Sequence, residues 1–299
     1  MTTGDTRPRL PRYRRADAPP PMQLTERDQD ILSLAQDYRF VTREQVQALL
    51  FTPAATSACK RRLTLLFHNG YLGRQLLPLR SAFGANRAVY FIDKRGAAVL
   101  DLLEKTGPAD AVWRARQHFR EELFLRHLVA SNDVRVAVTL AAQRQELGLE
   151  WTDERTLRSL AMRTRILDPK APGTRLAVVP DGYFVLTGPF GTHGFALELD
   201  RSTVEERKFR TKVRALGEWF ATGTHRRQFG DHILRVLFVI EPSARDPARL
   251  ARVKRWTELE SGRGLFWFTS LPALVAGSVL HDPIWHVAGR DGLFFLFTN

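Results

Sequence analysis

The 299 residues, 44% apolar and 26% charged, suit about two soluble domains, each large enough to bury a core. A formal charge of +13 matters for where it sits more than for its total, while the single cysteine, Cys59, excludes an internal disulfide or a cysteine-rich zinc cluster and makes a reducing, cytoplasmic setting the expectation. The longest weakly polar stretch, Leu271 to Leu280, is too short to cross a bilayer, so neither membrane association nor a signal peptide is expected.

Residues 1–23 place Arg7, Arg9, Arg12, Arg14 and Arg15 among prolines with almost nothing to bury, and read as a disordered basic arm. Thr25, with Asp28 three residues on, predicts a helix start, followed by the apolar face Ile31, Leu32, Leu34 and Ala35. A second cap at Thr42 opens a short helix carrying Val46, Leu49 and Leu50. A third runs from about Ala54 to His68 and ends at Asn69-Gly70. Tyr71 to Leu77 and Ala88 to Ile92 are strand-like, joined by a polar, basic tip.

Charge is unevenly placed along these elements. Leu24 to Pro53 holds three basic and five acidic residues, whereas Ala54 to Arg95 holds Lys60, Arg61, Arg62, Arg74, Arg80, Arg87, Lys94 and Arg95 against Asp93 alone. Three helices and a basic hairpin are the order of a winged helix-turn-helix domain, here 24–107. Its third helix would offer Thr56, Ser57, Lys60 and Arg61 to the major groove of double-stranded DNA, and its wing Arg80 and Arg87 to the backbone or minor groove. The alternative is a helical protein-interaction domain whose charges are solvated.

A helix over 95–104 precedes a domain boundary at Gly107 to Asp110, and residues 111–299 form the second domain. A longer helix starts near Val112, with Phe119, Leu123, Leu128 and Val129 suited to packing on a sheet, and Val134 to Leu147 extends or restarts it. His118 and His127 are not spaced as a metal pair on a helix. Leu176–Leu186, Phe195–Asp200, Ile233–Ile240 and Leu265–Thr269 read as strands, with helices at Thr203–Phe220 and Pro247–Glu260. The expectation is therefore a two-domain chain of mixed α+β and α/β class, its second domain a sheet with flanking helices.

In Phe195-Ala196-Leu197-Glu198-Leu199-Asp200 the strand period of two puts Ala196, Glu198 and Asp200 on one face. A hairpin through Gly188-Pro189-Phe190-Gly191 would bring Asp181 beside Glu198. Carboxylates converging from adjacent strands suit Mg²⁺ or Mn²⁺, which need only one or two from the protein. Taking Phe209, Val213, Leu216 and Phe220 as the buried stripe of the next helix, Lys212 lies about 70° and Lys208 about 110° from its centre, so Lys212 is the better cation for that site. Alternatively, the acids are a solvated strand face and Lys212 decorates its helix.

Pro180-Asp181, Glu198 and a nearby lysine resemble the PD-(D/E)xK nuclease superfamily, with its restriction-endonuclease-like mixed sheet. The whole arrangement, from Leu24 to Phe220, resembles the replication-relaxation family of plasmids and other mobile elements. This rests on Leu24-Thr25-Glu26-Arg27-Asp28, Arg61-Arg62-Leu63 through Gly70-Tyr71-Leu72, Pro180-Asp181-Gly182, and Glu198-Leu199-Asp200-Arg201 followed by Lys212. The resemblance implies metal ligation by Asp181 and Glu198, while Asp200, on the same strand face as Glu198, is a further candidate ligand from its spacing alone. It departs at Asp200, which stands where the superfamily places lysine, so the catalytic lysine moves to Lys212. A third acid, often upstream in the superfamily, would be Glu154 or Glu121.

Two functions follow. One is a DNA endonuclease of a mobile element, acting in replication, mobilisation or relaxation; the other is a non-catalytic DNA-binding initiator, accessory or regulator that contacts other replication or mobilisation proteins. A tyrosine-linked relaxase has little support, because there is no His-x-His pair and Tyr38, Tyr71, Tyr90 and Tyr183 read as core or strand positions. No Gly-x-x-x-x-Gly-Lys loop is present for nucleotide-driven work.

Overall fold

The computed structural model describes residues 10–77, 87–104, 122–161, 165–168, 171–189, 191–202, 204–230, 232–260, 264–274 and 279–297. Arg80, His118, Phe119, Glu121 and the expected boundary at Gly107 to Asp110 lie outside these residues. The chain forms two compact units, Met1–Asn132 and Asp133–Asn299.

In the first unit, α1 (Glu26–Asp37) begins with a reciprocal capping box. Asp28 N–H donates to Thr25 Oγ1 at 3.4 Å, and Thr25 N–H donates back to the Asp28 carboxylate at 2.8 Å. After β1 (Val41–Thr42), Thr42 and Gln45 repeat the device for α2 (Arg43–Leu50). The third helix, α3 (Thr56–His68), stops at Asn69 and Gly70, where glycine accommodates a φ of +78°. β2 (Leu72–Leu77) and β3 (Arg87–Ile92) pair antiparallel and β1 adds to β3, so the sheet order is β1-β3-β2. Gly73 leaves room for the Phe91 ring, which would have to shift for a Cβ that falls 2.1 Å from it. α4 (Lys94–Glu104) follows.

Phe40, Leu77, Val89 and Phe91 pack against Leu125 and Val129 of α5 (Glu122–Arg144), the long helix within which the two units divide. Val134 onward extends this helix rather than restarting it. Leu123, expected to face inward, is 63% exposed, because Leu125 and Val129, four residues apart, carry the buried stripe. Asn132 Nδ2 donates to the carbonyls of Tyr38 (3.0 Å) and Phe40 (2.8 Å).

Asp28 does more than cap α1. Its carboxylate is fully buried and accepts from Arg62, with Nε at 2.7 Å from Oδ1 and Nη2 on Oδ2. Burial alone would raise its pKa, but the Arg62 and Thr25 hydrogen bonds outweigh that and leave it below the usual aspartate value. A depressed folded-state pKa means stability that is present above the unfolded value and lost as pH falls through the folded one. Urea denaturation should therefore show stability declining below about pH 5, less steeply in Asp28→Asn. Identical pH profiles for the two proteins would contradict the assignment.

Residues 10–23, read as an arm with almost nothing to bury, hold specific hydrogen bonds. Arg15 Nε donates to Phe67 O (2.9 Å) and its Nη2 to Leu72 O (3.1 Å), and Arg15 pairs with Asp93. Ala16 N–H donates to His68 Nδ1 (3.0 Å), and Asn69 Nδ2 to Pro20 O (3.0 Å).

The second unit is built on β4 (Gly148–Asp153), β7 (Gly182–Gly188), β8 (Gly191–Asp200), β9 (Ile233–Ile240), β10 (Phe266–Ser270) and β11 (His286–Val287). Their order is β11-β10-β9-β8-β7-β4, with β8, β9 and β10 parallel and the outer pairings antiparallel, so the sheet is mixed. The expected strand 176–186 is two strands. β6 (Ala171–Ala177) pairs with β5 (Arg165–Asp168), the chain leaves strand geometry over 178–181, and β7 starts at Gly182. Pro180, which lacks an N–H for a sheet ladder, stands in that break.

α6 (Glu154–Ala161) follows β4. α7 (Glu206–Ala221) and α8 (Thr224–Phe229) connect β8 to β9, and α9 (Arg249–Glu258) connects β9 to β10. Phe209, Val213 and Leu216 of α7 and Val253 of α9 cover Ala196, Val236, Phe238 and Phe268 of the sheet. The central strand β8 is buried from Gly194 to Asp200. No helix among the described residues is long and apolar enough to cross a membrane.

Candidate functional site

The Pro180 break ends with Asp181 anchored to the central strand. Asp181 N–H donates to Leu197 O (2.9 Å), and its Oδ2 accepts from Leu199 N–H (2.8 Å). The next residue, Gly182, pairs with Leu197, and the hairpin closes at Gly188 opposite Gly191, so Asp181 lies beside Glu198 as expected. The alternation of β8 also holds. Ala196 packs under α7, Glu198 pairs with Lys212 of α7, and Asp200 pairs with Arg249 of α9, all on the helix-covered face.

Glu198 and Lys212 form an ion pair of unequal burial. The Glu198 side chain is 3% exposed and that of Lys212 is 47% exposed, so a lysine half open to solvent brings its ammonium to a buried carboxylate. Loss of hydration pulls the Lys212 pKa down, but the carboxylates of Glu198, then Asp181, and more weakly Asp200, outweigh it and hold it above the usual lysine value. The ammonium thus remains protonated at neutral pH. Its approach was better than the stripe suggested. Phe220, expected to be buried, is 39% exposed, and Trp219, 3% exposed, replaces it. That substitution rotates the buried stripe toward Lys212, to about 45° from its centre.

The other two acids go elsewhere. Asp200 Oδ2 accepts from Arg249 Nε (2.8 Å), its Oδ1 accepts from Ser202 N–H (2.7 Å), and Arg249 Nη2 also donates to Val204 O (2.7 Å). Both side chains of this pair are almost wholly buried, so Asp200 pins the end of β8 to α9. Glu154 pairs with Arg158 one turn along α6. Asp181, Glu198, Asp200 and Glu154 do not come together as a cluster: among the described residues no group of three or more His, Cys, Asp or Glu side chains is placed to hold a metal ion.

In the first unit, Thr56, Ser57, Lys60 and Arg61 are all exposed over the first two turns of α3, whose first turn carries neither a side-chain cap nor an acid. Thr56 Oγ1 accepts from Gln47 Nε2 (2.8 Å). Lys60 and Arg61 have no ion-pair partner among the described residues. Arg87 differs, because it donates to Thr42 Oγ1 (3.2 Å) and lies 3.5 Å from Glu44. The basic surplus is also partly internal, since Arg62 is neutralised by Asp28 and Arg74 lies over the Phe67 ring at 3.9 Å. Sequence reasoning missed Arg249 and Arg15, whose partners are distant along the chain and carry no motif. Tyr38, Tyr90 and Tyr183 are buried, in keeping with core roles.

No curated protein matches the chain. Among solved structures, a restriction endonuclease FokI bound to DNA aligns with 85% of this chain at 11% identity and a TM-score of 0.26, too distant a likeness to carry an argument. The chain spans 45% of that protein's length. The replication-relaxation family profile matches residues 32–232, more than half the sequence. The chain belongs to the replication-relaxation family.

Proposed function

We propose that this protein binds double-stranded DNA and acts in the replication, mobilisation or relaxation of a plasmid or other mobile element. In this reading 24–107 is a winged helix-turn-helix domain, and the second unit is a PD-(D/E)xK-type domain that nicks or cleaves DNA. The observation that carries it is the meeting of Asp181, Glu198 and Lys212 at the carboxyl end of the central strand β8. The open end of a sheet with parallel strands is where ligands of such folds bind.

The donor chemistry suits a two-carboxylate site. Asp181 and Glu198 are oxygen ligands from adjacent strands, and Mg²⁺ or Mn²⁺ takes one or two carboxylates and keeps its remaining places for water and substrate. Asp200 and Glu154, committed to Arg249 and Arg158, are not counted as ligands. A divalent ion held by Asp181 and Glu198 would neutralise charge on a phosphodiester. The chain's own contribution is positional. Leu199 N–H orients Asp181, and the Lys212 ammonium places a fixed positive charge where phosphate oxygens gain charge.

A second reading, a non-catalytic DNA-binding protein whose nuclease-like domain serves binding or assembly with partner proteins, is favoured by Asp200. That residue stands in the usual lysine position and is consumed by a structural ion pair. Both readings share the first unit, where the test is direct. Lys60→Ala with Arg61→Ala should weaken duplex binding several-fold and reduce the log–log salt slope by about 1.8, as expected for two phosphate contacts. An unchanged affinity and slope would contradict DNA binding through α3. Calorimetric titration with Mn²⁺ separates the readings: uptake lost in Asp181→Asn with Glu198→Gln supports the nuclease site, and absence of uptake by the unaltered protein supports the second reading.

A further inference from the structure

Helix α7 sorts its basic residues into two classes. Arg210 is paired, with Nε 2.8 Å from Glu260 and Nη1 3.3 Å from Glu206 one turn back. This is how a solvated helix face usually stabilises itself. Arg207 and Lys208 are exposed and hold no carboxylate among the described residues. At 100° per residue, Arg207, Lys208, Thr211, Lys212 and Arg214 fill one sector about 160° wide. Thr211 Oγ1 ties two of these residues together, donating to Arg207 O (2.9 Å) and accepting from Arg214 Nη2 (3.1 Å). Of the acids of the helix, Glu205 is the N-cap and Glu206 is held by Arg210, while Glu218 falls in the same sector one turn beyond Arg214.

The sector borders the candidate site. Lys212 meets Glu198, and Lys208 lies four residues, about 6 Å, nearer the helix start that follows the end of β8. From Arg207 to Arg214 the helix rises about 10 Å. Measured along the duplex axis, that length spans about three phosphates of one strand, at about 3.4 Å of axial rise each. Four cations of the sector lie along this length, of which Lys212 meets Glu198 while Arg207 and Lys208 hold no carboxylate among the described residues, and such a surplus complements a polyanionic backbone.

We propose that this face of α7 is a second DNA surface, a rail that holds the backbone of one strand of duplex DNA and leads a phosphodiester to Asp181, Glu198 and Lys212. The delivery step rests on the nuclease reading of that cluster; the binding does not. The test uses the full chain, a fluorescent DNA duplex and EDTA, so that affinity is read without cleavage. Arg207→Ala with Lys208→Ala should raise Kd several-fold near 0.1 M salt and reduce the log–log salt slope by about 1.8. The charge-keeping pair Arg207→Lys with Lys208→Arg should retain both values. Unchanged affinity and slope in the alanine variant would overturn the rail. If Lys60→Ala with Arg61→Ala still weakened binding in that case, DNA recognition by the first unit would stand on its own.

Discussion

Replacing Arg249 by alanine should cost about 3–5 kcal/mol of folding stability, the usual range for removing one partner of a buried ion pair. The Arg249 and Asp200 side chains are 6% and 4% exposed, so the abandoned carboxylate has no route to water. Arg249 Nε and Nη2 both reach this one residue or its neighbourhood, at 2.8 Å to Asp200 Oδ2 and 2.7 Å to Val204 O. The guanidinium also lies 5.0 Å from the Trp256 ring centre, so packing is lost with the charge. Replacing both partners, as in Asp200→Asn with Arg249→Met, should recover most of the loss, because no buried charge remains. Arg14, paired with Asp17 where the two side chains are 68% and 86% exposed, is the control: Arg14→Ala should change stability by less than about 1 kcal/mol. Urea denaturation measures all three. A loss below about 1 kcal/mol for Arg249→Ala would mean that Asp200 finds water or another partner and is open to a different role.

Lys212→Ala should slow nicking about 10²–10³-fold while Lys212→Arg retains a large part of the rate. The expectation follows from position. The ammonium is held protonated by Glu198 and Asp181, so its contribution is fixed charge rather than proton transfer. Arginine keeps that charge but changes its shape and reach. Rates at saturating DNA separate this effect from the loss of one rail contact, which would appear in affinity instead. A Lys212→Ala protein that nicks at the unaltered rate would remove the lysine from the site.

Local signals were legible in the sequence where they act over a few residues. Thr25 with Asp28 and Thr42 with Gln45 mark helix starts because the reciprocal hydrogen bonds span three positions. Ala196, Glu198 and Asp200 share a face because strand alternation is a geometric rule. What failed depended on distant partners. Nothing around Asp200 announces Arg249, and Arg15 looked idle until α3 and β2 supplied the carbonyls of Phe67 and Leu72. The contact of Arg87 with Glu44, 3.5 Å away, likewise has no local signal. Phe220 and Trp219 are adjacent aromatic residues at the end of α7, and periodicity could not choose between them. Pro180 was visible, yet the apolar residues on either side of it read as one continuous strand.

The central claim, that Asp181, Glu198 and Lys212 make one DNA-cleaving site, is tested most directly by incubating supercoiled plasmid with the purified protein in Mg²⁺ or Mn²⁺ and resolving the products by gel. The account predicts nicked or linear DNA that disappears with EDTA and in Asp181→Asn and Glu198→Gln, both of which still bind duplex DNA. Cleavage that persists in both variants would contradict it.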